Sequence, residues 1–395
     1  MVLIKPFRGW FYDEKKVGRI ADVVSPPHDV ISKEERAALK RRSKHNIVRV
    51  LLPPNGDYKG AASVLKKLIA DKVIIKDKKP AYYAYEQEFS IRGKKLKRLG
   101  LLALVKADPL GNDVLPHERT FPDQIRDRFE LLNAAHAELC PVFGLYSGDG
   151  SLAKVLGKAK KALFEFTDDR GVINRIWPVY DTETITRHFT DKKIIIADGH
   201  HRYTAASQLA AEGHGSGYTL MYLSDISDPA LKILPTHRIV ESPGFDMQRF
   251  LQSASDFFEA SKARDIDSLE GEILERGKHH FGVHDRNDSY LLRLKDPSVI
   301  DSLGTESRDW KNLDVSILQR LILDRLLRQS RISYAKHQED VVRLISDGSH
   351  HVAFLLPNTG ITEVVRIVEH GEVMPHKSTY FYPKPLAGVV IHIIE

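Results

Sequence analysis

The chain predicts a mixed α/β (α+β) fold: a sheet-and-helix core followed by a second, C-terminal α/β domain. Three observations carry this. The run IIIADGHHRYTAA (194–206) passes from an apolar strand through Asp-Gly into helically spaced residues. PAYYAYEQEFSI and LKRLGLLALVKA flank an Arg92-Gly93 turn and form a β-hairpin. After residue 245, helical spacing and short strands interleave, as in a separate layered domain.

Taken in order, VVSPPHDVIS (23–32) is extended, because a residue preceding proline avoids the helical region. Ser32 with Glu35 makes a capping box and opens a helix to about 40. NIVRVLLPP (46–54) predicts a strand closed by prolines. Residues 58–72 carry Ala61, Val64, Leu65, Leu68 and Ile69 at helical spacing. LPHERTFP (115–122) is a polar loop, and a helix follows over 123–138. PVFGLYSG is a strand, 151–163 a helix and RIWPVYD a short strand or turn. Strand 193–197 and helix 201–212 come next, then strands 218–225 and 231–240. Helices are expected at 246–260, 266–277, 313–328, 337–346 and 361–370, with strands at 288–295 and 351–356. KHHFGVHD (278–285) is placed in an exposed loop at a helix end. Domains are expected at 1–244 and 245–370, with a tail, 371–395, too apolar to be disordered and packed back on the body.

The 395 residues suffice for roughly two or three domains. No apolar run reaches membrane-spanning length, and the start lacks a leader pattern. The one cysteine, Cys140, can form neither an internal disulfide nor a cysteine zinc site. Cytoplasmic residence and a buried thiol are therefore expected. The net charge of +6 favours an anionic partner. The basic runs KRRSK (40–44), KKLKR (94–98) and KAKK (158–161) are short and scattered, as on solvated faces, so nucleic acid is not the expected partner.

The strand-to-helix handover concentrates the chemistry. The first N–H groups of a helix lack an intrahelical partner and form the positive end of its dipole, which suits phosphate. Gly199 permits the turn. His200, His201 and Arg202 add donors, and Arg202 can grip a phosphate as a fork. Asp198 can hold magnesium or receive a hydroxyl proton. Equally, Asp is a common cap and His-His-Arg an ordinary solvated first turn. Zinc is disfavoured, because adjacent histidines do not share one helix face and no HExxH occurs. GxxxxGK[ST], a dinucleotide glycine fingerprint and a GxSxG elbow are also missing. Further clusters are Pro26-Pro27-His28-Asp29, His117-Glu118-Arg119-Thr120, Thr236-His237-Arg238 and Lys377-Ser378-Thr379-Tyr380. An Asx turn or a structural ion pair explains each of the first two as well as a site does.

The blocks PFRGW, ADVVSPPHDVIS, NIVRV, YEQEF, LPHERT, GLYS, ADGHHRY, ILPTHRIV, LDVSIL and MPHKSTYFYPK, in that order, resemble the family called domain of unknown function ten-fifteen across nearly the whole chain. His28 and His376 depart from the Tyr and Gln of many members. The DGHHR element resembles the loop of the ParB and sulfiredoxin superfamily, which binds nucleotide phosphates at a helix start. That superfamily includes kinases of free L-serine. The resemblance implies a ParB/sulfiredoxin-like core and phosphoryl transfer to a serine hydroxyl, with Mg2+ and ATP, ADP or pyrophosphate as donor. It implies Glu118 as base and Asp198 as supporting carboxylate and metal ligand. Gly199, His200, His201, Arg202 and Tyr203 would form the donor site, with Arg119, His237, Arg238 and Lys377. Asp29, His117, Thr236, Ser378 and Thr379 would contact the substrate. The alternative is a ParB-like nucleotide-binding regulatory or DNA-associated protein, and a homo-oligomer is compatible with either. A nuclease would need a clearer carboxylate cluster.

Overall fold

The hairpin about Arg92 and Gly93 is the spine of the larger sheet. Both residues take positive φ, 49° and 75°, the pair of conformations a tight hairpin turn with the natural strand twist requires. A computed structural model describes residues 1–158, 161–328, 331–336 and 338–394. Residues 159 and 160 of the KAKK run and the expected 151–163 helix, position 337 of the expected 337–346 helix, and the last tail residue lie outside the described residues.

Contacts divide the chain into two units: Met1–Pro116, Thr120–Lys232 and Pro383–Glu395 form the first, His117–Arg119 and Ile233–Tyr382 the second. The sequence expectation places its boundaries at 244 and 370 instead.

The first unit holds a nine-stranded mixed sheet. Its strands are β1 (Ile4–Lys5), β2 (Tyr82–Ile91), β3 (Lys94–Lys106), β4 (Val114–Leu115), β5 (Val142–Tyr146), β6 (Phe164–Thr167), β7 (Ile173–Val179), β8 (Ile194–Asp198) and β9 (Tyr218–Asp225). They run in the order β4-β8-β5-β9-β3-β2-β7-β6, with β1 beside β3. β8 is parallel to β4 and β9 to β5; the remaining pairs are antiparallel. Its helices include α1 (Lys33–Arg42), α2 (Val48–Leu51), α3 (Tyr58–Ala70), α4 (Pro122–Ala135) and α5 (His200–Ala211). Ser32 and Glu35 form the expected reciprocal cap on α1. Tyr82, Leu101, Ile194, Ile196, Tyr203, Met221 and Leu223 meet in the core, all fully or almost fully buried.

In the second unit, β10 (His237–Glu241), β11 (Phe258–Lys262), β12 (His280–His284), β13 (Ser289–Leu294), β14 (Arg331–Ala335) and β15 (Val352–Leu355) form an antiparallel sheet in the order β11-β13-β12-β15-β10-β14. Its helices include α6 (Met247–Ala254), α7 (Ile266–Arg276), α8 (Gln338–Ser346) and α9 (Ile361–Glu369). Successive strand residues serve opposite faces. Val240, Val352 and Phe354 join a core with Met247 and Phe250 of α6; Ile239, Ala353 and Leu355 join another with Leu269 of α7 and Val341 of α8.

Local reading of the sequence fails where tertiary partners decide. Residues 46–54 contain a helical turn, α2, not a strand. Asn46 fixes it: its side-chain oxygen accepts from Val48 N (2.9 Å) and its amide donates to the carbonyls of Asp22 and Val24. Residues 278–285 hold strand β12, with Phe281 and Val283 fully buried, not an exposed loop. The 231–240 strand is broken at Pro235 into Lys232–Leu234 and His237–Glu241. The helix expected over 246–260 stops at Ala254, and 258–262 is strand β11. Arg98, at the end of the KKLKR run, is fully buried: its guanidinium donates to Gln87 and to the Pro383 carbonyl and lies 4.7 Å from the Phe143 ring centroid.

Gly100 on β3 crosses under Tyr222 and Leu223 of β9. A Cβ there would sit 2.5 Å from the Tyr222 ring and 2.6 Å from the Leu223 carbonyl oxygen. Gly100→Ala is expected to lower stability by about 1–3 kcal/mol, read as a lower urea midpoint with unchanged slope.

Candidate functional site

The strand-to-helix turn is built as follows. β8 pairs with β5 until a register shift between Ile196 and Asp198. Such a bulge re-aims the side chains beyond it, and Asp198 closes the strand. Gly199 takes φ 93° and caps α5. A Cβ at Gly199 would meet the Arg202 guanidinium at 2.8 Å, so both the backbone and the neighbouring cation require glycine here.

Arg202 lies one helical turn on and folds back. Its Nη2 donates to Asp198 Oδ2 (2.6 Å), and its Nη1 to the carbonyls of Cys140 and Pro141 and to the Cys140 sulfur. Asp198 Oδ1 is held by the Lys384 ammonium, which also donates to Asp29 Oδ2 at 2.5 Å. An unbroken chain Asp29–Lys384–Asp198–Arg202 results, all inside the first unit. The Lys384, Asp198 and Arg202 side chains are only 6%, 15% and 10% exposed. Burial alone would raise the Asp29 carboxyl, but the Lys384 ammonium, His28 and the Arg202 guanidinium together outweigh it and hold the group well below the usual range. Burial alone would lower the Lys384 ammonium; Asp198 and Asp29 hold it above its ordinary value. Burial, then the Arg128 guanidinium, pushes His28 well below the usual imidazole range, so it is neutral. Burial lifts the Cys140 thiol to about 11, so at neutral pH it is no nucleophile.

Nearby, His201 Nε2 accepts from the Phe121 amide (3.0 Å), and its ring stacks on Phe121. His200 is buried. Tyr203 is fully buried and donates to the Asp108 carbonyl (2.8 Å), so it anchors α5.

The remaining expected residues fall in the second unit. His117 is fully buried and shares a 2.8 Å hydrogen bond with Thr379; its carbonyl accepts from Met374 N. Glu118 bridges to Met374 through the backbone, and Arg119 is exposed. His237 Nδ1 accepts from Leu356 N. Arg238 is buried, donates to the Thr236 and His376 carbonyls and lies over Tyr334. Burial lowers it to about 10, against the opposing influence of Tyr334 and Glu118. Ser378 donates to the Pro375 carbonyl, and Lys377 has a positive φ of 57°. The structure thus gathers Asp29 with residues 198–203 in one unit, and Glu118, Arg238 and His376 within electrostatic reach of one another in the other.

Lys384, the centre of the chain of charges, was not singled out from the sequence. Its signal is a lysine between Pro383 and Pro385 in an otherwise apolar tail. Asp198 does not fit the expected magnesium ligand, because both its oxygens are committed to cations. Among the described residues, no group of three or more His, Cys, Asp or Glu side chains is placed to hold a metal.

The family model described as "Protein of unknown function (DUF1015)" matches residues 4–316. No curated protein matches the chain. Among solved structures, a conserved hypothetical protein from Pyrococcus furiosus is 17% identical, with 69% of this chain and 89% of that chain covered and a TM-score of 0.36. A free serine kinase in complex with AMP is 16% identical, with 68% and 83% covered and a TM-score of 0.36. SbnI with a C-terminal truncation, from Staphylococcus aureus, is 12% identical, with 72% and 85% covered and a TM-score of 0.37. Among the described residues, no helix is long and apolar enough to cross a membrane.

Lys384→Met leaves two carboxylates without their shared cation. The expected loss at neutral pH is about 3–5 kcal/mol, the cost of breaking a buried pair. The sign follows from Asp29. Its depressed folded pKa gives the wild type stability that is present above the ordinary aspartate value of 3.8 and lost as pH falls through the folded value. The deficit of the variant should therefore hold from pH 7 down to about pH 4 and shrink as pH falls further, as measured by urea unfolding of both proteins at each pH.

Proposed function

From a chain that belongs to the family Protein of unknown function (DUF1015), we propose a phosphotransferase that moves a phosphoryl group to the hydroxyl of a small molecule, free L-serine first among them, from ATP, ADP or pyrophosphate. The observation that carries the reading is the chain of charges at the start of α5, centred on the buried Lys384. Burying paired charges gives little or no net stability, so such a cluster at a strand-to-helix turn is better explained by chemistry than by folding. Its place is the positive end of a helix dipole, where phosphate binds. The DGHHR order at that turn resembles the phosphate loop of the ParB and sulfiredoxin superfamily.

Phosphoryl transfer asks a protein mainly for positioning and neutralisation of charge. In this reading the start of α5, with His200 and His201, receives the donor phosphates. Asp198 and Arg202 fix one another and hold the turn in shape; the Lys384 ammonium, shared between the two aspartates, favours the ionised form of Asp29. Glu118 is the proton acceptor, an assignment that rests on the order of the motifs in the chain. Arg119, His237, Arg238 and Lys377, with Asp29, His117, Thr236, Ser378 and Thr379, remain proposed contacts of donor or substrate.

Incubation of the protein with L-serine, Mg2+ and each donor in turn is expected to yield O-phospho-L-serine, read by mass spectrometry. Glu118→Gln should lower turnover about a hundredfold or more while donor binding stays within twofold of wild type. Nucleotide binding without product from any donor would select the regulatory nucleotide-binding protein instead. Undiminished turnover of the variant at saturating serine would remove Glu118 from the mechanism.

A further inference from the structure

Three cations gather on α1 and α2 of the first unit without an acid among them. Arg36 and Lys40 are four residues apart on α1, so their side chains share one helix face. Arg49 of α2 reaches the same place: its Nη2 donates to the Lys40 carbonyl (2.5 Å) and its Nε to the Ser43 carbonyl (3.4 Å). All three residues are half-buried, whereas Arg41, Arg42 and Lys44 of the same basic run are exposed. Among the described residues, none of the three forms an ion pair. Two acids in the neighbourhood are committed elsewhere: Glu35 caps Ser32 N and faces Arg170 at 3.8 Å, and Asp169 takes Arg42 at 2.6 Å. Burial, then the Arg36 and Arg49 guanidiniums, hold the Lys40 ammonium below its ordinary value.

Folding accounts for part of this group. Arg49 covers carbonyls at the C-terminal end of α1, and Lys40, in the last turn, complements the helix dipole. Arg36 has neither duty. It lies in the first half of the helix, where the dipole disfavours a cation, and its Nε and Nη2 are covered and unbonded. That leaves Nη1 as the nitrogen it can offer. Arg36 Nη1, Lys40 Nζ and Arg49 Nη1 thus have no hydrogen-bond partner among the described residues. Like charges in a half-buried place disfavour one another's charged form, and an opposite charge relieves them. A phosphate brings close to two negative charges at neutral pH and oxygens on several sides, which suits two guanidiniums and an ammonium better than a single carboxylate does. We propose that Arg36, Lys40 and Arg49 bind a phosphate dianion, free or as the monoester of a small molecule. None of the three belongs to the chain Asp29–Lys384–Asp198–Arg202, so the inference requires no phosphoryl transfer and stands apart from that reading.

The test titrates inorganic phosphate, glycerol 3-phosphate, acetate, chloride and a short DNA duplex into the full chain at matched ionic strength, followed by calorimetry. Saturable binding is expected with phosphate or its monoester and not with acetate or chloride. Arg36→Gln and Lys40→Gln should each weaken it about tenfold or more, the worth of one charged hydrogen bond. Their thermal midpoints without phosphate should equal or exceed that of the wild type, because each removes a repelling charge. Should Arg36→Gln fail to fold, Arg36→Lys, which keeps the charge but loses the planar fork, should also weaken phosphate. Phosphate bound at the start of α5 instead would be untouched by these changes, so variants that bind as the wild type does overturn the proposal. So do phosphate no better than acetate, binding lost only together with a lowered midpoint in every variant, or a duplex that outbinds phosphate and is lost in the variants.

Discussion

One ammonium between two carboxylates organises the first unit. Lys384 reaches Asp29 from the proline-rich turn near the start and Asp198 from the end of β8, and through Asp198 it fixes Arg202 and the opening of α5. Without that ammonium, Asp29 would lose the main cation that offsets its burial, and Asp198 would keep only Arg202. The glycine between strand and helix, the register shift before it and the backward fold of Arg202 all follow from holding that arrangement.

The same tail is secured by a second buried cation of a different kind. Arg98 donates to a glutamine side chain and to the Pro383 carbonyl and lies against aromatic faces. Neighbouring positions of the tail are thus held by a hydrogen-bonded arginine and an ion-paired lysine. The first sets where the backbone at 383 lies, and the second uses that placement to bring an ammonium to the aspartates. Position precedes electrostatics in this unit.

How much of this could be read from the sequence depends on the range of the interaction. The hairpin was legible because two strand-patterned runs flank Arg92-Gly93, and the Ser32 cap because its partners are three residues apart. The turn at 198–202 was legible because strand, glycine and helix are consecutive. Residues 46–54 were not, because β-branched residues suggest a strand while Asn46 draws its bonds from a segment more than twenty residues away. Arg98 reads as one more surface cation in a basic run until its strand is placed between two others. Lys384 was invisible as a site residue because its partners are 186 and 355 positions distant; only its setting between prolines in an apolar tail hinted at burial.

That sequence separation has a consequence for how the protein is made. The ribosome releases Asp29 and Asp198 with 186 positions still to be translated before Lys384. At roughly 5–20 residues per second, on the order of ten seconds or more pass before the ammonium that both acids share is made. The ion-paired corner of the first unit therefore cannot be completed until Lys384 has been made.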